Sequence, residues 1–474
     1  MLCRLLPPTN LLVRKWTSSV QSVRTKKKWV TAESSALKND PTHLALSYFD
    51  QHYGSQFPQN WPLIRLALLS LQKYGALVNT FCHGYEAIER LANLGAEEFV
   101  QHAARDLQKS FSEKNWQNKI KTGDLDAHTT GEYLQKSSEE NGISDYEKTF
   151  VSQQNTEEKS DHFVEDSWRD QYIVAAGFES KLEYMIGQEN SPDDPANMID
   201  ISAPVDSVQF PITISPFLKC FIFPHGNFQQ LPPSRLESSS GLLYYYTMDA
   251  SSLLPVMALD IQPNESVLDM CAAPGGKALA LLSVLTEGGI VLNEPATARR
   301  KRLLSVLDSY VPKEFINSGK VQVTAVEGQK WGVTSKNTFD KILVDVPCTT
   351  DRHSLKERDN NIFKPRRSQE RWNLPSLQEE LLCSALLSVR PGGDVVYSTC
   401  SLSTLQNDGV VQGAITKCQE EFDLQIQVVD LSPLATCLSS VFKFSDITKY
   451  GQLVIPDLTA NFGPMYFARL HKKA

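Results

Sequence analysis

The stretch that most constrains this chain is Ser266-Val267-Leu268-Asp269-Met270-Cys271-Ala272-Ala273-Pro274-Gly275-Gly276-Lys277. The run from Val267 to Met270 predicts a short buried strand. It breaks at the Cys271 to Gly276 turn, and an Ala/Leu-rich helix follows from Lys277. Strand, glycine turn and helix in that order form the entry to a nucleotide-type site in an open parallel sheet. Gly275 and Gly276 let backbone approach a ligand with no Cβ in the way. The helix start behind them offers free N–H groups to an anionic or carboxylate-bearing ligand. The spacing differs from G-x-G-x-x-G, and no Gly-Lys-Ser/Thr follows as a phosphate-binding loop requires. A Gly-Gly turn is also an ordinary βα connection; the full string from Cys271 to Lys277 is far more specific.

Alternation continues beyond this turn. Strands are predicted at 266–271, 289–293, 320–326, 340–345 and 393–399, with helices between most of them, notably 297–310 and 377–389. That βαβα order implies a parallel, doubly wound α/β sheet. Two further strands, 424–429 and 465–470, complete seven. A mostly parallel seven-stranded sheet with an antiparallel edge fits the class I, Rossmann-like methyltransferase arrangement. The expected methyltransferase domain is 201–474. Ahead of residue 266, strand-like 217–223 leads into a helix near 250–259.

The rest of the chain divides by composition. Residues 1–28 carry seven Lys/Arg and no acid, interspersed with Leu, Val, Trp and Ser/Thr. Residues 1–35 are therefore expected to be a mitochondrial transit peptide, with a basic RNA-binding arm as the alternative. Residues 36–110 show helical apolar spacing around 44–49, 63–71 and 87–94, and no catalytic constellation. Residues 111–200 hold 20 Asp/Glu against 8 Lys/Arg. With so little apolar periodicity they are expected to be a disordered acidic insertion, with a short helix at most near 180–186. The net charge of −8 comes from that block, and the remainder is mildly basic. Nine cysteines without paired short spacing indicate neither a disulfide framework nor a metal site. No apolar run has the length needed to span a membrane.

Several residues fall where an open sheet binds ligands. Glu294 ends the second strand of the series, placed to accept hydrogen bonds from ribose hydroxyls; a surface acid is the bland alternative. Glu327 and Gly328 end the third strand, within reach of an adenine edge. Arg299 opens the following helix near the same site. Asp345 and Cys348 end the fourth strand in Asp345-Val346-Pro347-Cys348, and Cys400 ends the fifth in Ser398-Thr399-Cys400. A buried cysteine is usually an inert small hydrophobe, the reading adopted for Cys383, Cys418 and Cys437. Two thiols delivered to one sheet edge are different. A thiol at a nucleotide-sized site suits attack on a pyrimidine. Carbon 5 of cytosine is too weak a nucleophile to take a methyl group unaided, and thiolate addition at carbon 6 makes it an enamine carbon. The attacking thiol needs a cationic or dipolar neighbour, since a free thiol titrates near about 8.5. An acid such as Asp345 would protonate N3, and a base would later remove the carbon 5 proton.

Cys271 to Lys277, Asp345-Val346-Pro347-Cys348 and Ser398-Thr399-Cys400-Ser401 together resemble the Nop/Sun family of RNA cytosine-5 methyltransferases. Four stretches are similar to the family's mitochondrial ribosomal-RNA branch: Lys73 to Asn79, Cys348 to Leu355, Asn360 to Lys364 and Asn461 to Phe467. The likeness covers 41–110 and about 205–474. It implies S-adenosylmethionine as methyl donor, Cys400 as nucleophile and Cys348 as the residue that helps release product. It also implies a donor site lined by Cys271, Ala272, Ala273, Pro274, Gly275, Gly276, Lys277, Glu294, Arg299, Glu327, Gly328 and Asp345. The family carries aspartate where this chain has Glu294 and Glu327; the extra methylene keeps the charge but moves it. Implied partners are mitochondrial ribosomal RNA, an mTERF-type helical-repeat protein in a heterodimer, and the mitochondrial ribosomal large subunit, in the matrix. Two rivals stand beside this reading: a DNA cytosine-5 methyltransferase, whose nucleophile would be Cys348, and a ribosome-assembly platform with a methyltransferase fold.

Overall fold

Asp40 starts the first described segment: its carboxylate accepts from the Thr42 N–H at 3.0 Å and Pro41 occupies the first turn, both helix-start signals. The computed structural model describes residues 40–110, 207–285 and 287–473. The expected transit peptide at 1–35, the acidic insertion at 111–200 and the short helix near 180–186 lie outside the described residues.

Helix α1 (Pro41–Gln56) buries Ala45, Phe49 and Tyr53 along one face, and α2 (Trp61–Leu69) buries Trp61, Ile64, Ala67 and Leu68. Beyond α2 the segment expected to be helical departs from that expectation. It forms β1 (Gly75–Val78), then α3 (Tyr85–Asn93), then β2 (Glu97–Glu98). After β3 (Ser207–Val208) come β4 (Cys220–Ile222) and β5 (Tyr245–Met248). Antiparallel pairing gives a four-stranded sheet in the order β2-β4-β1-β5. The strand identity of 75–78 depends on partners more than a hundred residues away, which no local pattern announces. A Cβ on Gly75 would sit 2.7 Å from Cys220 Sγ, so close strand packing requires glycine there.

The main sheet is laid down by β6 (Val267–Asp269), α4 (Gly276–Val284), β7 (Ile290–Asn293), α5 (Thr297–Tyr310), β8 (Val321–Thr324) and β9 (Phe339–Asp345). Helix α6 (Asp351–Lys356) and α7 (Leu374–Ser388) lead to β10 (Val389–Thr399). Helix α8 (Asp408–Phe422), β11 (Ile426–Val429), β12 (Gln452–Val454) and β13 (Met465–Lys472) complete it. Its order is β3-β11-β13-β10-β9-β6-β7-β8, with β12 on β13. All seven expected strands are present, and the short β3 and β12 raise the total to nine. Strands β6 to β10 pair in parallel, whereas β13 runs antiparallel to both neighbours. The antiparallel strand thus lies inside the edge, between β10 and β11. Because β6 has β7 on one side and β9 on the other, chain order reverses at β6, the position where open sheets hold ligands.

One core joins the N-terminal helices to this sheet. Phe49, Tyr53 and Trp61 share a cluster with Ile342, Val344, Leu382 and Tyr397. Burying each such side chain contributes roughly 1.5–3 kcal/mol. The four stretches similar to the mitochondrial branch also meet in space: the Lys73 N–H donates to Asn461 O at 3.3 Å, and Asn361 Nδ2 donates to Ser354 O at 2.8 Å. Arg352, buried, donates to Gly463 O at 2.8 Å, Asn461 Oδ1 at 2.9 Å and Ala67 O at 3.2 Å in the last turn of α2. Asn461 Nδ2 donates to Leu71 O, and Lys73 Nζ donates to Phe223 O and Pro224 O. Residues 40–108 and 207–473 accordingly belong to one compact unit.

Candidate active site

The turn after β6 is shaped by its neighbours as much as by any ligand. Gly275 has φ +122°, a conformation that favours glycine, and a Cβ there would meet Val306 of α5 at 3.0 Å. A Cβ on Gly276 would meet the Tyr246 ring of β5 at 3.0 Å. Both glycines therefore let α4 begin tight against packed elements, leaving its first N–H groups at the sheet's ligand edge. From that first turn Lys277 reaches across to β9.

There the strand ends converge. Lys277 Nζ donates to Asp345 Oδ2 at 2.9 Å, and Ser398 Oγ donates to Asp345 Oδ1 at 2.8 Å. Burial disfavours the Lys277 charge, but pairing with Asp345 outweighs it and holds the ammonium above its ordinary pKa. The parallel register sets Ser398 beside Asp345, so the residues that follow, Cys348 and Cys400, emerge together. Their sulfurs lie 3.3 Å apart. Cys348 is buried and Cys400 partly so. The hydrogen bond with Cys348 and burial raise the Cys400 thiol well above the ordinary range, and the Lys277 charge opposes this. Lys277 is a cation near the Cys400 thiol.

Glu294 follows β7 and is almost fully buried. Its Oε1 accepts from the Ala296 N–H at 2.9 Å, and its Oε2 lies 3.4 Å from Arg299 Nε. Arg299 also donates to Ala273 O at 2.9 Å, tying the glycine turn to Glu294. Glu327 is placed differently: its side chain is about two-thirds exposed and pairs with Lys330 at 2.7 Å. Gly328 has a packing reason of its own, since a Cβ would overlap Leu381 Cδ2 of α7, and its carbonyl accepts from Ser384 Oγ. The structure thus gathers Cys271 to Lys277, Glu294, Arg299, Asp345, Cys348 and Cys400 around the strand ends. It leaves Glu327 in solvent.

Three residues outside the expected set belong to this region. Asp269, at the end of β6, is 1% exposed, and neither carboxylate oxygen has a hydrogen-bond partner among the described residues. Burial, then the nearby Asp345 charge, push it up to about 8. Asn293, fully buried, donates to Met270 O and Val326 O and accepts from the Val326 N–H, pinning the turns after β6 and β8 together. Asp351, fully buried, links the loops that carry the two thiols. Asp269 was visible as an acid beside the glycine turn; Asn293 and Asp351 had no signal beyond lying next to motif residues. Asp269 and Glu294 thus set two buried carboxyl groups beside the turn, and the Glu294 Oε2 also lacks a hydrogen-bond partner among the described residues. Those acceptor oxygens fit a ligand bearing ammonium and hydroxyl groups.

Comparison with known proteins agrees with this geometry. The family described as 16S rRNA methyltransferase RsmB/F matches residues 256–469. The chain is 40% identical to the 5-cytosine rRNA methyltransferase NSUN4 of Mus musculus, over 95% of this chain and 93% of that protein. It is 41% identical to the protein of the same name from Xenopus laevis, over 94% and 93%. With 5-cytosine rRNA methyltransferase nsun-4 of Caenorhabditis elegans the identity is 33%, over 93% of each.

Proposed function

The chain belongs to the Nop/Sun family of 5-cytosine rRNA methyltransferases, and on that premise we propose that it methylates carbon 5 of a cytidine in mitochondrial ribosomal RNA through a thiol adduct. The observation that carries the proposal is the pair of sulfurs 3.3 Å apart at neighbouring parallel strand ends. S-adenosylmethionine supplies an electrophilic methyl group. The turn from Cys271 to Lys277 would hold it, with the carboxyl groups of Asp269 and Glu294 available to its ammonium and hydroxyl groups.

Cys400 adds through sulfur to carbon 6 of the ring. Its proton passes by way of Asp345 to N3, so the ring stays uncharged and carbon 5 becomes the nucleophile that takes the methyl carbon. Lys277 and Ser398 hold the Asp345 carboxylate in place for that transfer. Cys348, in contact with Cys400, acts as the base that removes the carbon 5 proton. The Cys400 sulfur then leaves, the N3 proton returns to it by way of Asp345, and the neutral aromatic ring is restored.

Trapping on RNA carrying 5-fluorocytosine tests this, because fluorine at carbon 5 cannot leave as a proton. The intact protein should give an RNA-linked species on a denaturing gel, and Cys400→Ala should give none while still binding S-adenosylmethionine. On ordinary RNA, Cys348→Ala should accumulate the adduct. Trapping that instead requires Cys348 and survives Cys400→Ala would favour the DNA-type mechanism. No adduct from any form would leave the assembly-platform reading.

The basic, acid-free residues 1–28 support delivery to the mitochondrial matrix. A fluorescent fusion of that segment should enter mitochondria, and cytosolic fluorescence would count against it. In the matrix the enzyme acts on ribosomal RNA together with an mTERF-type helical-repeat partner that brings it to the large ribosomal subunit, and it serves ribosome assembly.

A further inference from the structure

Resting on the thiol reading above, we infer that Asp351 is a positioning residue for methyl transfer: it holds the Cys348 loop and the Cys400 loop at the separation that product release requires. Three donors converge on its buried carboxylate, drawn from the residues just after each thiol. Thr349 Oγ1 donates to Oδ1 at 2.5 Å, Ser401 Oγ at 3.2 Å, and the Leu402 N–H to Oδ2 at 2.7 Å. In the other direction the Asp351 N–H donates to the Cys400 carbonyl at 3.3 Å. Thr349 and Ser401 also touch directly, hydroxyl to hydroxyl, at 2.8 Å.

The loop between Cys348 and Asp351 is held under strain. Thr350, a β-branched residue, has φ +44°, and its N–H points at Cys348 Sγ at 3.4 Å. Such a conformation persists where surrounding contacts over-determine it. Those contacts come from three sides. Gln406 Oε1 accepts from the Thr349 N–H and from Gln378 of α7, which also donates to Pro347 O. From α1, Tyr53 OH lies 3.3 Å from Ser401 Oγ, and Gln56 Nε2 donates to Leu402 O at 2.6 Å. The first helix of the described chain thus braces the loop behind Cys400, and Asp351 is the centre on which both thiol loops close.

A carboxylate is required because every group converging on it is a donor. An amide at the same place sets two of its own N–H groups against them, and the buried donors lose partners. The thiols then drift. A misplacement of about 1 Å costs on the order of 100-fold in a reaction that depends on alignment.

The test uses the full chain with target RNA and S-adenosylmethionine. For Asp351→Asn, kcat should fall on the order of 100-fold while KM for S-adenosylmethionine stays within about twofold. On ordinary RNA the RNA-linked species should build up, as with Cys348→Ala. Thr349→Val, nearly isosteric and removing the shortest of the three bonds, should show the same pattern more weakly. This second variant keeps the inference testable if the first does not fold. Wild-type kcat and no adduct build-up in a folded variant would overturn the inference. So would a fall in kcat matched by loss of S-adenosylmethionine binding, which marks general disorder. A wild-type enzyme that forms no fluorocytosine adduct would sink the thiol reading itself, an outcome distinct from either.

Discussion

Asp269 stands at the end of β6 with its carboxylate buried and unpaired. Its raised value of about 8, against an ordinary 3.8, has a sign that can be followed into stability. Between these values the folded state binds a proton that the unfolded state has released. Stability contributed by this group is therefore full below about pH 4 and is lost as pH rises towards 8. At pH 8 the loss is on the order of a few kcal/mol. Asp269→Asn should therefore raise the Tm of the cofactor-free protein at pH 8, with less gain at pH 5, and should weaken S-adenosylmethionine binding. A variant whose Tm follows wild type across that range would show that the carboxylate costs nothing. Neighbouring residues at the same scale differ in how well spacing predicted them. Glu294 and Asp345 were placed correctly at strand ends. Glu327 was expected near an adenine edge, but its turn directs the side chain to solvent, where Lys330 pairs with it.

Among the elements, β1 shows what local pattern leaves open. Gly75 to Val78 is four residues long and fully buried, between β4 and β5 from a later part of the chain. Gly75→Ala would drive a Cβ against Cys220 Sγ, Ala250 Cβ and Ile222 Cγ2. Overpacking of this kind costs about 1–3 kcal/mol. Thermal melts should show a lower Tm, with Cys220→Ala restoring part of it. A Gly75→Ala protein as stable as wild type would mean that the small sheet can shift to admit the methyl group. The strands of the main sheet were easier to read. Fully buried parallel strands give continuous Val/Ile/Leu runs, and glycine turns mark their ends. The antiparallel β13 was found as a strand, but its insertion between β10 and β11 follows from pairing alone.

At the scale of the whole molecule, Arg352 links the N-terminal helices to the catalytic sheet. It sits four residues after Cys348 and reaches the carbonyls of Ala67 and Gly463 and the Asn461 side chain. Burial lowers its pKa, so the charge is kept at a cost that these acceptors offset. Arg352→Met removes three charge-assisted bonds, leaving Gly463 O and Asn461 Oδ1 without this donor, and each such bond contributes about 1.5–3 kcal/mol. The variant should melt several degrees lower, and protease should cut earliest near the α2 to β1 connection. Unchanged melting would mean that the core shared by α1, α2 and the sheet holds the joint by itself.

Sequence alone determined the order of the seven main strands from residue 266 onward, the helices at 297–310 and 377–389, the glycine turn and the two thiol-bearing strand ends. These are local patterns: side-chain period, turn chemistry and a short motif each act over a few residues. The tertiary structure decided what depends on distant partners. It paired β1 with β4 and β5, set the Cys348 and Cys400 sulfurs in contact, turned Glu327 outward, and closed Asp351 on both thiol loops. The pairings among these join residues from about fifty to more than 170 positions apart. They form where backbone pairing and burial bring those residues together, and no local period in the chain encodes them.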